Sequence, residues 1–321
     1  MPDTLNPDPA GVRAPAPEIL ALLQCPLTGQ PLHVDGPRLT SADGSQTYRM
    51  SDSGIPLFGD AWLSHDATVQ RAHYERIAPA YLENSESSHT REYTRYLDRA
   101  LEDLFGRAAL GNVAELCCGA GEGLHVLGSR VGRGVGVDVS PSMLEVARSR
   151  VPEASRLFVQ GDATRLPLKA GQFDTVVMLG GIHHVNDRNR LFAEVARILK
   201  PGGSFIWREP VDDFALWRLI RRAIYRYSPT LEADTERPLR LAETRAELTQ
   251  AGLALDTWRP LGFIGYCVLM NSDVLAVNRV WRFIPGAPLL ARLASRVDDW
   301  MLRLPGLGNG GLQCVGLARR R

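Results

Sequence analysis

From Val113 onward the chain alternates apolar strand-like stretches with amphipathic segments, and this regular alternation limits its fold more than any other feature. VAELCC is followed by a helical pattern over Glu122–Arg130, GVGVDV by one over Pro141–Arg150, and RLFVQGD and FDTVVML by one over Asp187–Leu199. A Lys200-Pro201-Gly202-Gly203 stop then precedes a strand over Ser204–Arg208. Strands separated by helices pair in parallel through right-handed crossovers, because no tight turn joins them. The expectation is an α/β fold with a doubly wound, mostly parallel sheet and helices on both faces.

The flanks follow other patterns. Residues 1–17 read as a flexible lead, and 18–63, rich in Gly, Ser, Thr and Asp between short apolar strokes, as a small module of short strands and turns. The main domain is expected over 64–321, opening with two helices between Asp66 and Phe105 that break near Asn84–Ser88. Around a core of 112–210 lie two helical insertions, about 211–240 and 264–310, of the kind that shape a substrate lid. Their apolar residues Trp217, Leu219, Ile220, Ile224, Tyr225, Trp281, Phe283, Leu289 and Leu290 are expected to close a pocket. The net charge of +1 supplies no field that would draw the chain to nucleic acid. Five cysteines without a C-x-x-C pair favour a reducing, cytoplasmic setting over a disulfide framework. No apolar stretch reaches the ~20 residues that span a bilayer.

The strand VAEL runs into C-C-G-A-G-E-G and a helix, so the backbone turns where side chains are smallest and a ligand can approach it at Gly119, Gly121 and Gly123. A dinucleotide fingerprint, G-x-G-x-x-G, would need its third glycine at position 124, where Leu124 stands. That spacing disfavours a nicotinamide oxidoreductase. Asp138 ends the next strand, near the distance at which a carboxylate accepts from both ribose hydroxyls; a plain helix cap is the alternative. Asp162 ends the third strand, where it could receive an adenine amino group, with Ala163 leaving room for a flat ring and Met143 able to pack on the other face.

In sequence order, ELCCGAGEG, GVDVSPSML, GDATRLPL, FDTVVMLGGIHHV and LKPGGSFIWREP resemble the motifs of the class I S-adenosylmethionine (SAM)-dependent methyltransferases of type 11, over residues 112–210. The resemblance implies a Rossmann-like fold and SAM as cofactor. It implies that Glu115 and the Gly119–Gly123 backbone hold the methionine part, Asp138 the ribose, Met143, Asp162 and Ala163 the adenine, and Leu179 the cofactor's flank, with Cys117 and Val139 also at the cofactor. Tyr74 and Tyr81, in HYERIAPAY, resemble the helix that covers the cofactor, although core packing would also account for them. Cys117 replaces the family's usual first glycine, so a negative φ is expected there.

Methyl transfer from a sulfonium is an in-line displacement, for which a protein supplies alignment, exclusion of water and, where the nucleophile carries a proton, a base. His183 and His184, at the carboxyl end of the fourth strand, and Glu209, after the fifth, are the candidates for contact with substrate; helix capping and a surface salt bridge are the alternatives. LLQCPLTGQPL and YRMSDSGIPLF resemble a small zinc-ribbon-like module, but Cys25 has no partner thiols: Thr28, Ser41 and Asp43 stand where ligands would. No metal is expected, since structural zinc needs four ligands. The expected activity is methyl transfer to oxygen or carbon of a small-molecule or lipid-like acceptor, secondary metabolites included. An RNA methyltransferase is the alternative, suggested by Arg218, Arg221, Arg222 and Arg226, and a non-catalytic partner subunit is a third reading.

Overall fold

The computed structural model describes residues 17–151, 155–220, 237–269 and 276–321, with the backbone alone at 80, 81, 84 and 276–279. Seven strands form the central sheet in the order β6-β5-β4-β7-β8-β10-β9. They are β4 (Gly111–Leu116), β5 (Val131–Asp138), β6 (Arg156–Gln160), β7 (Phe173–Leu179), β8 (Leu199–Pro210), β9 (Leu253–Leu261) and β10 (Gln313–Arg320). β4 through β8 pair in parallel, whereas β10 runs antiparallel to both β8 and β9. This is the Rossmann-like, doubly wound sheet anticipated from the alternation. Strands covered by helices on both faces have no wet side, and β4 accordingly buries every residue from Asn112 to Leu116.

Local chemistry sets the helix ends. In α5 (Pro141–Arg150) the Ser140 hydroxyl accepts from the Met143 N–H at 3.2 Å and Pro141 occupies the first turn, where its missing N–H costs nothing. Asp187 is the cap of α6 (Arg188–Ile198), accepting from the Arg190 N–H at 3.0 Å. The helix expected over Glu122–Arg130 is shorter: α4 ends at Leu127, because Gly128 leaves helical space at φ 50° and the chain continues as a 3-10 turn. The Lys-Pro-Gly-Gly segment ends α6 but belongs to β8, with a register irregularity opposite Phe173–Thr175. Helices α2 (His65–Ser85) and α3 (Ser88–Phe105) break within the expected stretch, and α3 buries Tyr93, Tyr96, Leu97 and Leu101.

The N-terminal segment holds α1 (Pro17–Leu20) and an antiparallel sheet of β1 (Leu32–Asp35), β2 (Arg38–Ser41) and β3 (Thr47–Arg49). Its apolar side chains Leu22, Leu23, Leu39, Tyr48 and Phe58 share one core with Leu157 and Val159 of β6 and Leu166 and Leu168 of the segment that follows it. Leu57 forms a parallel bridge to Gln160 on the outer edge of β6. The Cys25 thiol lies 3.0 Å from the Tyr48 hydroxyl and accepts from the Thr28 N–H. Asp43 accepts from the Ser41 and Ser45 hydroxyls and so shapes the β2–β3 turn. Among the described residues no group of three or more His, Cys, Asp or Glu side chains shares a position for a metal ion, and no helix is long and apolar enough to cross a membrane.

The insertions differ from expectation. Leu219, Phe283, Leu289 and Leu290 are exposed rather than closing a pocket. Trp217 is buried against Phe263 and donates to the Gly310 carbonyl at 2.7 Å, and Trp281 packs on the core around α3. Ile224, Tyr225, Arg221, Arg222 and Arg226 lie outside the described residues, while Arg218 donates to the Asp212 and Asp213 carbonyls.

Candidate active site

At the carboxyl edge of β4, β5 and β7 the chain leaves a partly enclosed cleft. Its walls include Glu115, Cys117, Gly119, Asp138, Val139, Met143, Asp162, Ala163 and Leu179, and its other side includes Tyr74 and His184. Gly121, His183 and Glu209 do not line it. Tyr81 lies on α2, but its side chain is outside the described residues.

The loop after β4 is held by acids. Both Glu115 oxygens accept at the start of α4, from Gly123 N–H at 2.6 Å and Leu124 N–H at 2.8 Å. Burial pushes its carboxyl up to about 8, against the pull of those two N–H groups. Asp138 accepts from Gly119 N–H at 2.8 Å and Ser140 N–H at 2.9 Å, and burial raises its carboxyl also. Asp162 accepts from Ser64 N–H at 2.8 Å and from the backbone and hydroxyl of Thr164. Gly121 turns the chain into α4 at φ 74°, where a Cβ would meet Ala147 and Phe158, so its role is the turn itself.

Cys117 overturns the expected negative φ: it stands at φ 49°, the one non-glycine residue with positive φ among those described. An L side chain in the left-handed region costs roughly 1–2 kcal/mol, and this one is held by the strand before it and the Asp138–Gly119 bond after it. Glu209 is neither a surface ion-pair partner nor a wall of the cleft. It is fully buried, accepting from the Gly181 and Ile182 N–H groups at 2.7 and 2.8 Å and lying 2.8 Å from His183 Nδ1. It therefore fixes the turn that follows β7. His184 faces the cleft, with Nε2 3.5 Å from the Tyr74 hydroxyl and its buried Nδ1 unpaired among the described residues. Burial, and then the neighbouring His183, hold its pKa well below the usual range, so the ring is neutral.

The roof of the cleft includes residues that sequence reasoning did not single out. Ser64, Asp66, Ala67 and Gln70 lie at or just before the start of α2, which is pinned by Asp66 to the Asn186 N–H and by Glu75 to Ser140. Gln70 Oε1 is buried with no partner among the described residues. A serine two residues before an acid at a helix start is the available signal for the first two; nothing in the sequence marks Gln70.

Among the described residues the lining contains Asp66, Glu115, Glu122, Asp138 and Asp162 and no Lys or Arg. Such a cleft repels a pyrophosphate, and Glu115 already occupies the N–H groups that would bind one, so the nicotinamide dinucleotide reading fails on charge as well as spacing. A cation suits it. Residues 114–207 match the family model of the methyltransferase domain. This segment is a class I SAM-dependent methyltransferase domain. Among curated proteins, the chain is 35% identical over 101 residues to the demethylmenaquinone methyltransferase of Lactococcus lactis, covering 30% of this chain and 40% of that protein. It is 34% identical over 139 residues to the 2-phytyl-1,4-naphtoquinone methyltransferase of Nostoc punctiforme, covering 41% and 60%. The match thus spans less than two thirds of either relative. Among solved structures, a SAM-dependent methyltransferase of Thermotoga maritima superposes with TM-score 0.52 at 20% identity, over 78% of this chain and 99% of that one. A methyltransferase in complex with a Haloferax volcanii methyltransferase activator gives TM-score 0.52 at 20% identity, over 78% and 96%. The family's cofactor, SAM, is a sulfonium with a cationic amino group, and the acid-only lining and the orphaned Gln70 oxygen fit it.

Proposed function

We propose that this protein transfers the methyl group of SAM to oxygen or carbon of a small, lipid-like acceptor. The observation that carries the reading is the cleft itself: buried carboxylates, no basic side chain, and one neutral imidazole in a methyltransferase domain. Asp138 would accept from the ribose hydroxyls, Asp162 from the adenine amino group, and Val139, Met143 and Ala163 would pack on the ring. Glu115, Cys117, Gly119 and Leu179 would face the methionine part. SAM supplies an electrophilic methyl group. The chain's residues do the rest: α2 excludes water, Glu209 positions the turn that carries His184, and His184 takes the proton of an acceptor hydroxyl as the oxygen–carbon bond forms. The carbon–sulfur bond breaks with its electron pair left on a neutral thioether, which the acidic cleft holds less strongly than the sulfonium. Lipid-like acceptors are supported by the likeness to a demethylmenaquinone methyltransferase and a 2-phytyl-1,4-naphtoquinone methyltransferase.

Calorimetric titration with SAM and with NADH, followed by methyl transfer to a prenylated naphthohydroquinone and to total RNA, tests the proposal. Binding of SAM alone and methylation of the hydroquinone are expected. NADH binding without SAM binding would remove the cofactor reading, and methylation of RNA alone would replace the acceptor.

A further inference from the structure

Apart from Val34, every large apolar side chain exposed among the described residues lies between Leu216 and Trp300. These residues belong to the segments that leave β8 and β9. Both strands run antiparallel to β10 and so parallel to each other, so both segments emerge at the carboxyl edge of the sheet, where the cleft opens.

Helix Ala287–Met301 shows the arrangement most clearly. Its Ala287, Ala291, Ser295 and Asp298 face the protein. At about 100° per residue, Leu289, Trp300, Leu293, Val297 and Leu290 fill an arc of roughly 100° on the outer side, with Arg292 and Arg296 together on one flank. Trp300 is 61% exposed, and Phe283, just before the helix, 72%. The helix has two acids, and neither joins this face. Asp298 is buried and accepts from the Phe263, Gly265 and Tyr266 N–H groups, and Asp299 accepts from the Tyr96 hydroxyl at 2.6 Å. The outer face is therefore apolar, flanked by Arg296 and by Arg292, whose Nε lies 3.5 Å from the Glu92 carboxylate.

We propose that this face docks on an anionic lipid bilayer, the helix lying in the plane of the membrane surface. The apolar arc would enter the acyl boundary and Trp300 would sit at headgroup level, while arginine stems lie along the apolar surface and their guanidinium groups reach lipid phosphates. A second copy of the chain is a poorer occupant, since pressing this apolar face against its own copy would bury Arg296, which bonds no carboxylate among the described residues, whereas Arg292 already meets Glu92. The inference stands on the helix alone and does not depend on the acceptor proposed above.

The test is co-sedimentation of the full chain with vesicles of phosphatidylcholine alone and of phosphatidylcholine with phosphatidylglycerol, alongside light scattering of the protein without lipid. Binding to the anionic vesicles is expected, and Arg296→Glu should weaken it at least fivefold, the scale of one basic residue near an anionic surface. Leu293→Glu with Trp300→Glu should weaken it tenfold or more while leaving SAM titration unchanged. Failure of the unaltered protein to sediment with anionic vesicles would overturn the proposal. So would a dimer in solution that the Leu293→Glu, Trp300→Glu variant makes monomeric, because the face would then belong to a second copy.

Discussion

SAM binding should expel a proton from Glu115. Its carboxyl is fully buried and pushed up to about 8, chiefly by desolvation, so at pH 7 roughly nine in ten molecules carry the proton. A bound sulfonium and ammonium favour the carboxylate and pull its pKa down. If the pKa in the complex falls well below 6, affinity should drop about tenfold from pH 9 to pH 7 and approach a hundredfold at pH 6, since each unit is worth 1.36 kcal/mol. The linkage to folding has the matching sign: a raised carboxyl favours the folded apo-protein at low pH, and that contribution is lost as pH rises from about 4.5 through 8. Calorimetry at pH 7 in buffers of different ionisation enthalpy should count just under one proton released per SAM. The ligand's own amino group also titrates in this range, so Glu115→Gln, which keeps one acceptor oxygen and cannot ionise, isolates the protein's share. Equal proton counts for the two proteins would refute the reasoning.

Asp138→Ala should weaken SAM binding by about 1–3 kcal/mol in titration, the scale of hydrogen bonds to a charged group, part of it through release of the Gly119 N–H. Cys117→Val should lower thermal stability by about 1–3 kcal/mol in calorimetric melting because a β-branched residue tolerates φ 49° poorly, whereas Cys117→Gly should stay within about 1 kcal/mol of the parent. His184→Ala should reduce kcat for an oxygen acceptor by about 10²–10⁴-fold and spare SAM affinity, and His183→Ala, outside the cleft, should cost less; equal loss in both would remove the base assignment. Glu209→Ala should cost about 1–3 kcal/mol for each N–H left bare at Gly181 and Ile182, measured by denaturant unfolding. Metal analysis of the purified protein should find no stoichiometric zinc.

What could be read from the residues was whatever local chemistry decides. Ser140-Pro141 starts α5 where expected, and Asp187 caps α6, because a cap, a proline and an apolar period lie within a few residues of each other. The parallel pairing of β4 to β8 follows from the alternation of strands with helices. Distant partners were not legible. Glu209 looks like a surface acid until β7 supplies the N–H groups that bury it, and Cys117 looks free to take a negative φ until the Asp138–Gly119 bond fixes the loop. Leu289 and Leu290 carry the periodicity of a buried face, yet the face that packs is the one with Ala287, Ala291 and Ser295, whose small side chains give a weak hydropathic signal.

The bridge between Leu57 and Gln160 has a practical consequence. β6 ends the large sheet, and an open outer edge of that kind recruits strands from other molecules. Residues 18–63 act as its guard, closing the edge and filling the apolar floor beneath it, and the chain then passes through Ser64, whose N–H bonds Asp162, into the roof of the cleft. A truncation beginning at 64 would thus strip the guard and loosen the roof together, so such a fragment belongs among the aggregates rather than among the minimal enzymes.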